Sequence, residues 1–195
     1  ALRRFSQPLI ADTQSAGSVC LLIQVALIPA LFSPHPVELL LKGGTNAIYA
    51  PQVDYSLRVL LPVVKKQCGA SFEIDVIRRG YYPKGGGEVM LRTDPVQTLK
   101  PITLVERGQL THIDIRAFVA GTLPLHIAQR MAEAAKKYIT AHIEGDYVLN
   151  VEALKEQKAF GNGTGIILVA HTSTGCVFGA SELGKRGVPA DRVAE

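Results

Sequence analysis

The chain contains 195 residues, of which 47% are hydrophobic and 19% are charged, and its formal net charge is +4. This length accommodates one large domain or two small ones, since domains commonly span about 100 to 200 residues. The composition is that of a folded protein and excludes disorder as the main state. The longest apolar run, Val19 to Phe32, contains Gln24 and Pro29 and is shorter than the roughly 20 residues of a membrane span. The sequence therefore predicts a buried helix here and no membrane association.

Cysteines and basic residues limit the partners. The three cysteines are Cys20, Cys68 and Cys176. They are far apart and form no C-x-x-C motif, which disfavours a zinc site or a redox pair. This pattern predicts reduced thiols in an intracellular protein. Basic residues recur as adjacent pairs, which permits a polyanionic partner, although such pairs on helices are typical of solvated faces. These pairs are Arg3-Arg4, Lys65-Lys66, Arg78-Arg79, Lys136-Lys137 and Lys185-Arg186.

The first half of the chain begins with an apolar helix and a strand. The helix is predicted from Ser15 to Phe32, with Ser15 as its N-cap and Pro29 causing a kink or an end. A strand from Val37 to Leu41 follows, closed by the turn residues Gly43, Gly44 and Asn46. Such an apolar helix must be covered on most sides.

A second helix and two strands complete this half. Asp54 is predicted to cap the helix, Pro62 to bend it and Gly69 to end it. The segment "SFEIDVIRRG" alternates apolar and polar residues, as a half-buried strand does, and "GEVMLR" begins another strand. The order helix, strand, helix, strand, strand predicts an α+β unit with helices packed on a small sheet.

A stretch with two prolines, Thr93 to Pro101, offers little that could be buried, so a domain crossing is predicted there. The strand-like "ITLVERGQLTHIDIRAFVAG" follows, and then an amphipathic helix from Pro124 to Gly145. Strands are predicted in "YVLNVEAL", "GIILVAHT" and "CVFGAS", the last two joined by a turn at residues 173–175. The second half therefore reads β-α-β-β-β, with a further helix beginning at Pro189.

Two glycine-rich strings resemble nucleotide-binding motifs only in part. "GASELGKR" matches a P-loop until its last position, where Arg186 replaces the hydroxyl residue that would hold magnesium. "FGNGTG" lacks the dinucleotide-binding spacing and precedes a strand, so a mobile loop over a cleft is predicted instead. No pair among the five histidines has helical metal-ligand spacing, and the sequence predicts no metal ligands. His171, inside an apolar strand, reads as a hydrogen-bonded core residue or as a base.

Two features leave a choice open. Gln24 is the sole amide in an apolar helix, so its side chain either bonds nearby backbone or lies at a pocket wall, where it could recognise the edge of a base. The string "RGYYPKGGGEV", residues 79–89, joins two strands. Its glycines either turn the chain sharply or expose amide donors to an anion. Because no helix begins there, a tight connection with close backbone packing is favoured.

The strings "KGGTNAIYAPQVDY" and "RGYYPKGGGEV" resemble the RNA 3'-terminal phosphate cyclase family, in which the second is the family signature. "TQSAGSVCLLIQV" before them and "RAFVAG", "AFGNGTGI", "TSTGC" and "LGKRGV" after them fit the eukaryotic-type members in the same order. The resemblance spans nearly the whole chain.

This resemblance implies an enzyme that uses ATP to convert the 3'-phosphate of RNA into a 2',3'-cyclic phosphate. A histidine is adenylylated, AMP passes to the RNA phosphate, and the neighbouring 2'-hydroxyl attacks that phosphate and expels AMP. A divalent metal, magnesium or manganese, and basic residues would offset the phosphate charge. For a eukaryotic member the expected location is the nucleus, and otherwise the cytoplasm.

The resemblance also implies an architecture. The family has a large domain of repeated α+β units, each with two helices and a four-stranded sheet, and a smaller inserted domain with a thioredoxin-like order. Residues 1–93 would form the end of the first repeat and the second repeat, 94–101 the crossing, and 102–195 the inserted domain.

The resemblance assigns roles to individual residues of this sequence. Gln24 matches an adenosine-contacting glutamine, Pro51 another wall of that pocket, and Asp54 is a weaker candidate beside it. Arg79 and Lys84 are candidates for contact with nucleotide or RNA phosphate. No histidine here matches the family nucleophile, which is expected beyond Glu195, and the arginine-rich RNA-binding segment is expected before Ala1.

Both ends of the chain look cut, and the chain alone is expected to be inactive. Two alternatives stay open: a cyclase-like ribosome-assembly protein without the nucleophile, and a catalytically silent RNA-binding module.

Overall fold

The computed structural model describes residues 7–194, and the basic pair Arg3-Arg4 lies outside this range. The chain divides into two compact units: Ala1–Thr103 with Lys158–Gly161, and Leu104–Gln157 with Asn162–Glu195. Each contains helices and a mixed sheet, which confirms the α+β class. In the described part of the chain, no helix is both long enough and apolar enough to span a bilayer.

The first unit contains β1 (Leu9–Asp12), α1 (Val19–Leu31), β2 (Val37–Gly43), α2 (Val53–Tyr55), a π-helix (Ser56–Leu60), α3 (Leu61–Cys68), β3 (Phe72–Gly80), β4 (Gly87–Thr93) and β7 (Ala159–Phe160). The second contains β5 (Leu110–Ala120), α4 (His126–His142), β6 (Val148–Glu156), β8 (Gly163–Thr172), β9 (Val177–Leu183) and α5 (Ala190–Ala194).

The sheet of the first unit has the order β1-β2-β4-β3-β7. Both outer pairs, β1 with β2 and β3 with β7, are parallel, whereas β4 is antiparallel to β2 and β3. Helix α1 covers this sheet with a buried stripe at every fourth position, which packs against apolar strand residues. The stripe consists of Val19, Ile23, Leu27 and Leu31.

The predicted N-cap of the first helix is wrong. Ser18 caps α1, because its Oγ accepts hydrogen bonds from the backbone N–H of Cys20 at 3.1 Å and of Leu21 at 3.4 Å. The hydroxyl of Ser15 instead accepts from the N–H of Gly17 in the preceding turn at 3.1 Å. Pro29 lies in the last turn of α1, two residues before its end.

The predicted second helix is present but divided, since α2, the π-helix and α3 follow one another without a break. The predicted cap is also wrong: Gln52 occupies the N-cap position, and Asp54 lies inside α2. The predicted end is confirmed, because Gly69 takes the left-handed conformation at φ 69° directly after α3. Pro62 lies in the first turn of α3, after the π-helix.

The sheet of the second unit has the order β6-β5-β8-β9, with β5 parallel to β6 and antiparallel to β8. Alternate residues of β5 point to α4 and form its core contacts: Ile113, Ile115, Ala117 and Val119. The side chains of His112, Asp114 and Arg116 therefore lie on the face of the sheet away from α4. The predicted order of elements is confirmed for this unit, although the first strand begins at Leu110 and not at Ile102.

Candidate functional site

Helix α1 presents Gln24 on its exposed side, since this residue lies between buried positions Ile23 and Leu27 but is itself exposed. The Gln24 amide forms no hydrogen bond to another described residue. Of the two possibilities left by the sequence, a bond to nearby backbone is therefore not what the structure shows. The amide is available to a ligand with both its donor and its acceptor.

Apolar side chains surround this amide on the same exposed side of α1. Leu21 is 46% exposed, Val25 77% and Ile28 52%. A planar apolar ring with polar edge atoms fits such a surface, because its faces can cover the aliphatic groups while its edge meets the amide. The purine base of a nucleotide is a ring of this kind.

Cys20 connects α1 to the π-helix that follows α2. Its Sγ lies 3.6 Å from Oγ of Ser56, the first residue of the π-helix. Cys20 lies one helical turn before Gln24, but Cys20 is buried whereas Gln24 is exposed. Burial raises the pKa of the Cys20 thiol to about 11, so this cysteine remains a neutral packing residue at physiological pH.

The loop between β2 and α2 carries Pro51, which is exposed, whereas the neighbouring Gln52 is 4% exposed. The loop is fixed from inside by Asn46, whose Nδ2 donates to Gln52 Oε1 at 3.1 Å and to Asp54 Oδ2 at 3.2 Å. Thr45 Oγ1 lies 2.7 Å from Asn46 Oδ1 and 3.2 Å from the Gly80 carbonyl oxygen. Pro51 is therefore an exposed residue on a loop with a rigid polar base.

Arg79 and Asp54 form the centre of this base. The Arg79 guanidinium donates from Nη1 to Asp54 Oδ2 at 2.6 Å and from Nη2 to Oδ1 at 2.8 Å, which makes the ion pair bidentate. The side chain of Arg79 is only 7% exposed and that of Asp54 only 2%. The pair ties β3 to α2. It gives both residues a structural contact: Asp54 supports the Pro51 loop from beneath, and the Arg79 guanidinium faces a carboxylate inside the protein.

Sequence reasoning missed Thr45, Asn46 and the Arg79–Asp54 pair. The sequence predicts a turn residue at Asn46 and a helix cap at Asp54, which are the common local roles of these residue types. The partners Asp54 and Arg79 are 25 residues apart on a helix and a strand. The sequence carried no signal that singles out this pair, because β3 contains four charged residues, Glu73, Asp75, Arg78 and Arg79.

Lys84 lies in the connection between β3 and β4, is exposed, and forms no ion pair with another described residue. It borders a cavity of about 280 Å³, where Lys42 and Arg78 supply further positive charge and Asp12 and Glu88 negative charge. Arg78 Nη2 lies 3.1 Å and Lys42 Nζ 4.0 Å from Glu88, so both of these cations have an acidic partner in the cavity.

The glycines of this connection serve backbone packing, as the sequence favoured. A Cβ on Gly85 would lie 2.1 Å from the carbonyl oxygen of Ser15, and one on Gly86 would lie 2.4 Å from the Phe160 ring. Gly85 also donates its N–H to the Tyr81 carbonyl oxygen at 2.8 Å, which closes the turn. Packing of this closeness excludes any side chain.

The partial P-loop is no phosphate loop, because Gly179 to Leu183 form strand β9. Among the described residues, one group of at least three potential metal ligands converges: His112, Asp114 and His171 in the second unit. Two imidazoles and one carboxylate do not match the oxygen ligands that magnesium and manganese prefer. This group therefore does not fit the metal that the family resemblance implies.

Known proteins match most of the chain. A family model described as RNA 3'-terminal phosphate cyclase matches residues 4–182. The chain is 43% identical over 188 residues to a probable RNA 3'-terminal phosphate cyclase of Dictyostelium discoideum, covering 95% of this chain and 43% of that protein. It is 38% identical over 179 residues to the RNA 3'-terminal phosphate cyclase of Drosophila melanogaster, covering 91% and 49%.

An archaeal RNA 3'-terminal phosphate cyclase, from Pyrobaculum aerophilum, is 34% identical over 185 residues, covering 94% of this chain and 51% of that protein. The chain thus spans about half the length of the curated relatives it matches.

Proposed function

Since the chain belongs to the RNA 3'-terminal phosphate cyclase family, we propose that the protein converts RNA 3'-phosphate ends into 2',3'-cyclic phosphates with ATP. The reaction proceeds through adenylylated enzyme and adenylylated RNA. In this proposal, the first unit corresponds to the large repeated domain and the second to the inserted thioredoxin-like domain.

Gln24 is proposed to bind the adenine of ATP. The observation that supports this role is an exposed amide without a hydrogen-bond partner among the described residues, surrounded by apolar side chains of α1. An amide carries a donor and an acceptor side by side, which complements the N7 acceptor and N6 donor of adenine. Guanine presents two acceptors, N7 and O6, on the same edge, so the amide oxygen would face an acceptor there. ATP supplies the activated phosphoryl bond, and the protein supplies its orientation.

Pro51 is proposed as a second wall of this pocket. It is exposed on a loop whose inner side is fixed by Asn46, Gln52 and Asp54. A rigid wall reduces the entropy lost when a ligand binds. Asp54 is proposed to act through this loop and not by contact with nucleotide, because its carboxylate is bound to Arg79 in the interior.

Lys84 is proposed to contact a phosphate of nucleotide or RNA, since it is exposed beside a cavity with other basic side chains. Arg79 is a weaker choice for such a contact, because its guanidinium is paired in the interior. Lys84→Gln should weaken RNA binding. It should also reduce the slope of log binding constant against log salt concentration by about one, since one fewer counterion is released on binding.

Labelling tests the activity. The full-length protein, incubated with ATP labelled in the α-phosphate, is expected to acquire covalent label and to pass it to RNA with a 3'-phosphate. The 195-residue chain alone is expected to acquire none, because none of its five histidines matches the family nucleophile. A well-folded full-length protein without label would contradict the proposal and favour the cyclase-like or RNA-binding alternatives.

Substitution tests the pocket. Gln24→Ala in the full-length protein should raise the KM for ATP about 10-fold or more, corresponding to the loss of one or two hydrogen bonds, and should reduce the preference for ATP over GTP. Gln97→Ala is the matched control, because Gln97 is exposed in the same unit but lies outside α1 and the Pro51 loop. Equal KM values and nucleotide preference in wild type and Gln24→Ala would remove Gln24 from the pocket.

A further inference from the structure

Three potential metal ligands converge on the open face of the sheet in the second unit. His112 and Asp114 are two residues apart on β5 and so point to the same face. His171 on β8 is the register partner of His112. One ligand atom from each residue lies within 4.8 Å of the others. We propose that His112, Asp114 and His171 bind a divalent transition-metal ion, with zinc as the best fit.

The carboxylate is held in place by a neighbouring strand. Asn150 on β6 pairs with Asp114 and donates from Nδ2 to Oδ1 at 2.7 Å. The other oxygen, Oδ2, faces His171 Nε2 at 3.4 Å. A hydrogen bond to the oxygen that does not bind metal is the arrangement that orients carboxylate ligands in metal sites.

Thr111 contacts His112 and can favour one tautomer of its ring. Its hydroxyl donates to the His171 carbonyl oxygen at 3.0 Å, and its oxygen lies 3.1 Å from His112 Nδ1. With this hydroxyl hydrogen directed to His171, the Thr111 oxygen can accept from the Nδ1–H of His112. Nε2 of the neutral ring then keeps its lone pair, which is the state a metal ligand needs.

The local charges permit a cation. Arg116, the next residue of β5 on this face, is already neutralised by Glu152 at 2.6 Å and Glu156 at 3.4 Å. The side chains of His171 and Asp114 are 28% and 30% exposed, which gives an ion access from solvent. Two imidazoles with one carboxylate leave room for a water molecule in a four-coordinate site.

Binding requires a small rearrangement. The two imidazole rings are stacked at 4.1 Å between centroids with an angle of 10° between their planes. Zinc–nitrogen and zinc–oxygen bonds of about 2.1 Å place the ligand atoms of a tetrahedral site about 3.4 Å apart. Asp114 Oδ2 and His171 Nε2 already have this separation, and any pair as far apart as 4.8 Å must approach by about 1.4 Å. Rotation of half-exposed side chains about χ2 provides this movement without a change in the strands.

Zinc titration of the full-length protein tests the site. The protein is stripped of metal with a chelator and titrated with Zn²⁺ by calorimetry, in buffer with Mg²⁺ and without nucleotide. His112→Ala and His171→Ala should each weaken this site more than about 100-fold, and Asn150→Ala about 10-fold, since loss of an outer hydrogen bond alone costs about 10-fold to 100-fold. His126→Ala is the control, because His126 is exposed on α4 in the same unit.

Cobalt gives a second readout that does not depend on activity. Co²⁺ bound to the wild-type protein should show the visible absorption of a four-coordinate site, and this absorption should be lost in His171→Ala and Asp114→Asn. Circular dichroism of the metal-free variants checks that they are folded. If another ligand variant does not fold, His112→Ala is used to test the site. Zinc affinity and cobalt spectra that are the same in wild type and folded ligand variants would overturn the proposal.

Discussion

The two units place their ionic groups in different environments. The first buries the Arg79–Asp54 pair beneath a loop, with both side chains less than 10% exposed. In the second, Arg116 is 19% exposed and is paired with Glu152, which is 55% exposed, and with Glu156, which is 16% exposed. The difference shows where a charge acts as a structural support and where it stays available to solvent and ions.

The largest effect is expected from Arg79→Met. This substitution leaves the Asp54 carboxylate without its main partner in the interior, which should reduce the free energy of unfolding by about 3 to 5 kcal/mol. Thermal unfolding followed by circular dichroism measures the loss. The double variant Arg79→Met/Asp54→Leu should recover part of it, because no charge then remains buried. If the double variant were less stable than Arg79→Met alone, the buried charge would not be the cause.

A slightly smaller effect is expected from Gly85→Ala, and it tests the close packing of the first unit. Gly85 and Gly69 have nearly the same backbone angle, φ 70° and φ 69°, but a Cβ on Gly69 would meet nothing within 4 Å. Gly69→Ala should therefore cost about 1 kcal/mol for the left-handed conformation alone. Gly85→Ala should cost about 2 kcal/mol more, because the added methyl group meets the Ser15 carbonyl oxygen. Equal unfolding temperatures for the two variants would contradict this explanation.

The smallest effect is expected from Arg116→Met in the second unit. Arg116 is only partly exposed, but its closer partner Glu152 remains solvated after the substitution, so the loss should be about 1 kcal/mol, well below that expected for the buried pair. The same unfolding measurement applies. A loss as large as that of Arg79→Met would remove the distinction between the units.

Much of the fold could be predicted because it is encoded locally. The alternation in Phe72 to Val76 predicted β3, and Gly69 after an apolar periodic segment predicted the end of α3. The elements that were missed depend on distant contacts. β1 has four residues and is formed by parallel pairing with β2, about 30 residues away along the chain, so its own sequence carries little signal.

The candidate site residues were predicted more from the family resemblance than from the chemistry and spacing of the residues themselves. Sequence alone left Gln24 between two roles, and the structure shows its amide exposed and without a partner among the described residues. The metal-ligand group could not be predicted, because His112 and His171 are 59 residues apart and meet only through the pairing of β5 with β8. Spacing rules for helices and short loops do not detect ligands from paired strands.

Strand β7 has a consequence for how fragments of this chain should be chosen. Its two residues pair with Arg79 and Gly80 at the end of β3, and the Lys158 carbonyl oxygen accepts the N–H of Arg79 at 2.8 Å. A fragment that ends at Thr103 would leave these backbone groups unpaired at an open strand edge, where strands of other molecules can add and cause aggregation. Residues 158–161 therefore cover the exposed edge of β3, and any expressed version of the first unit should retain them.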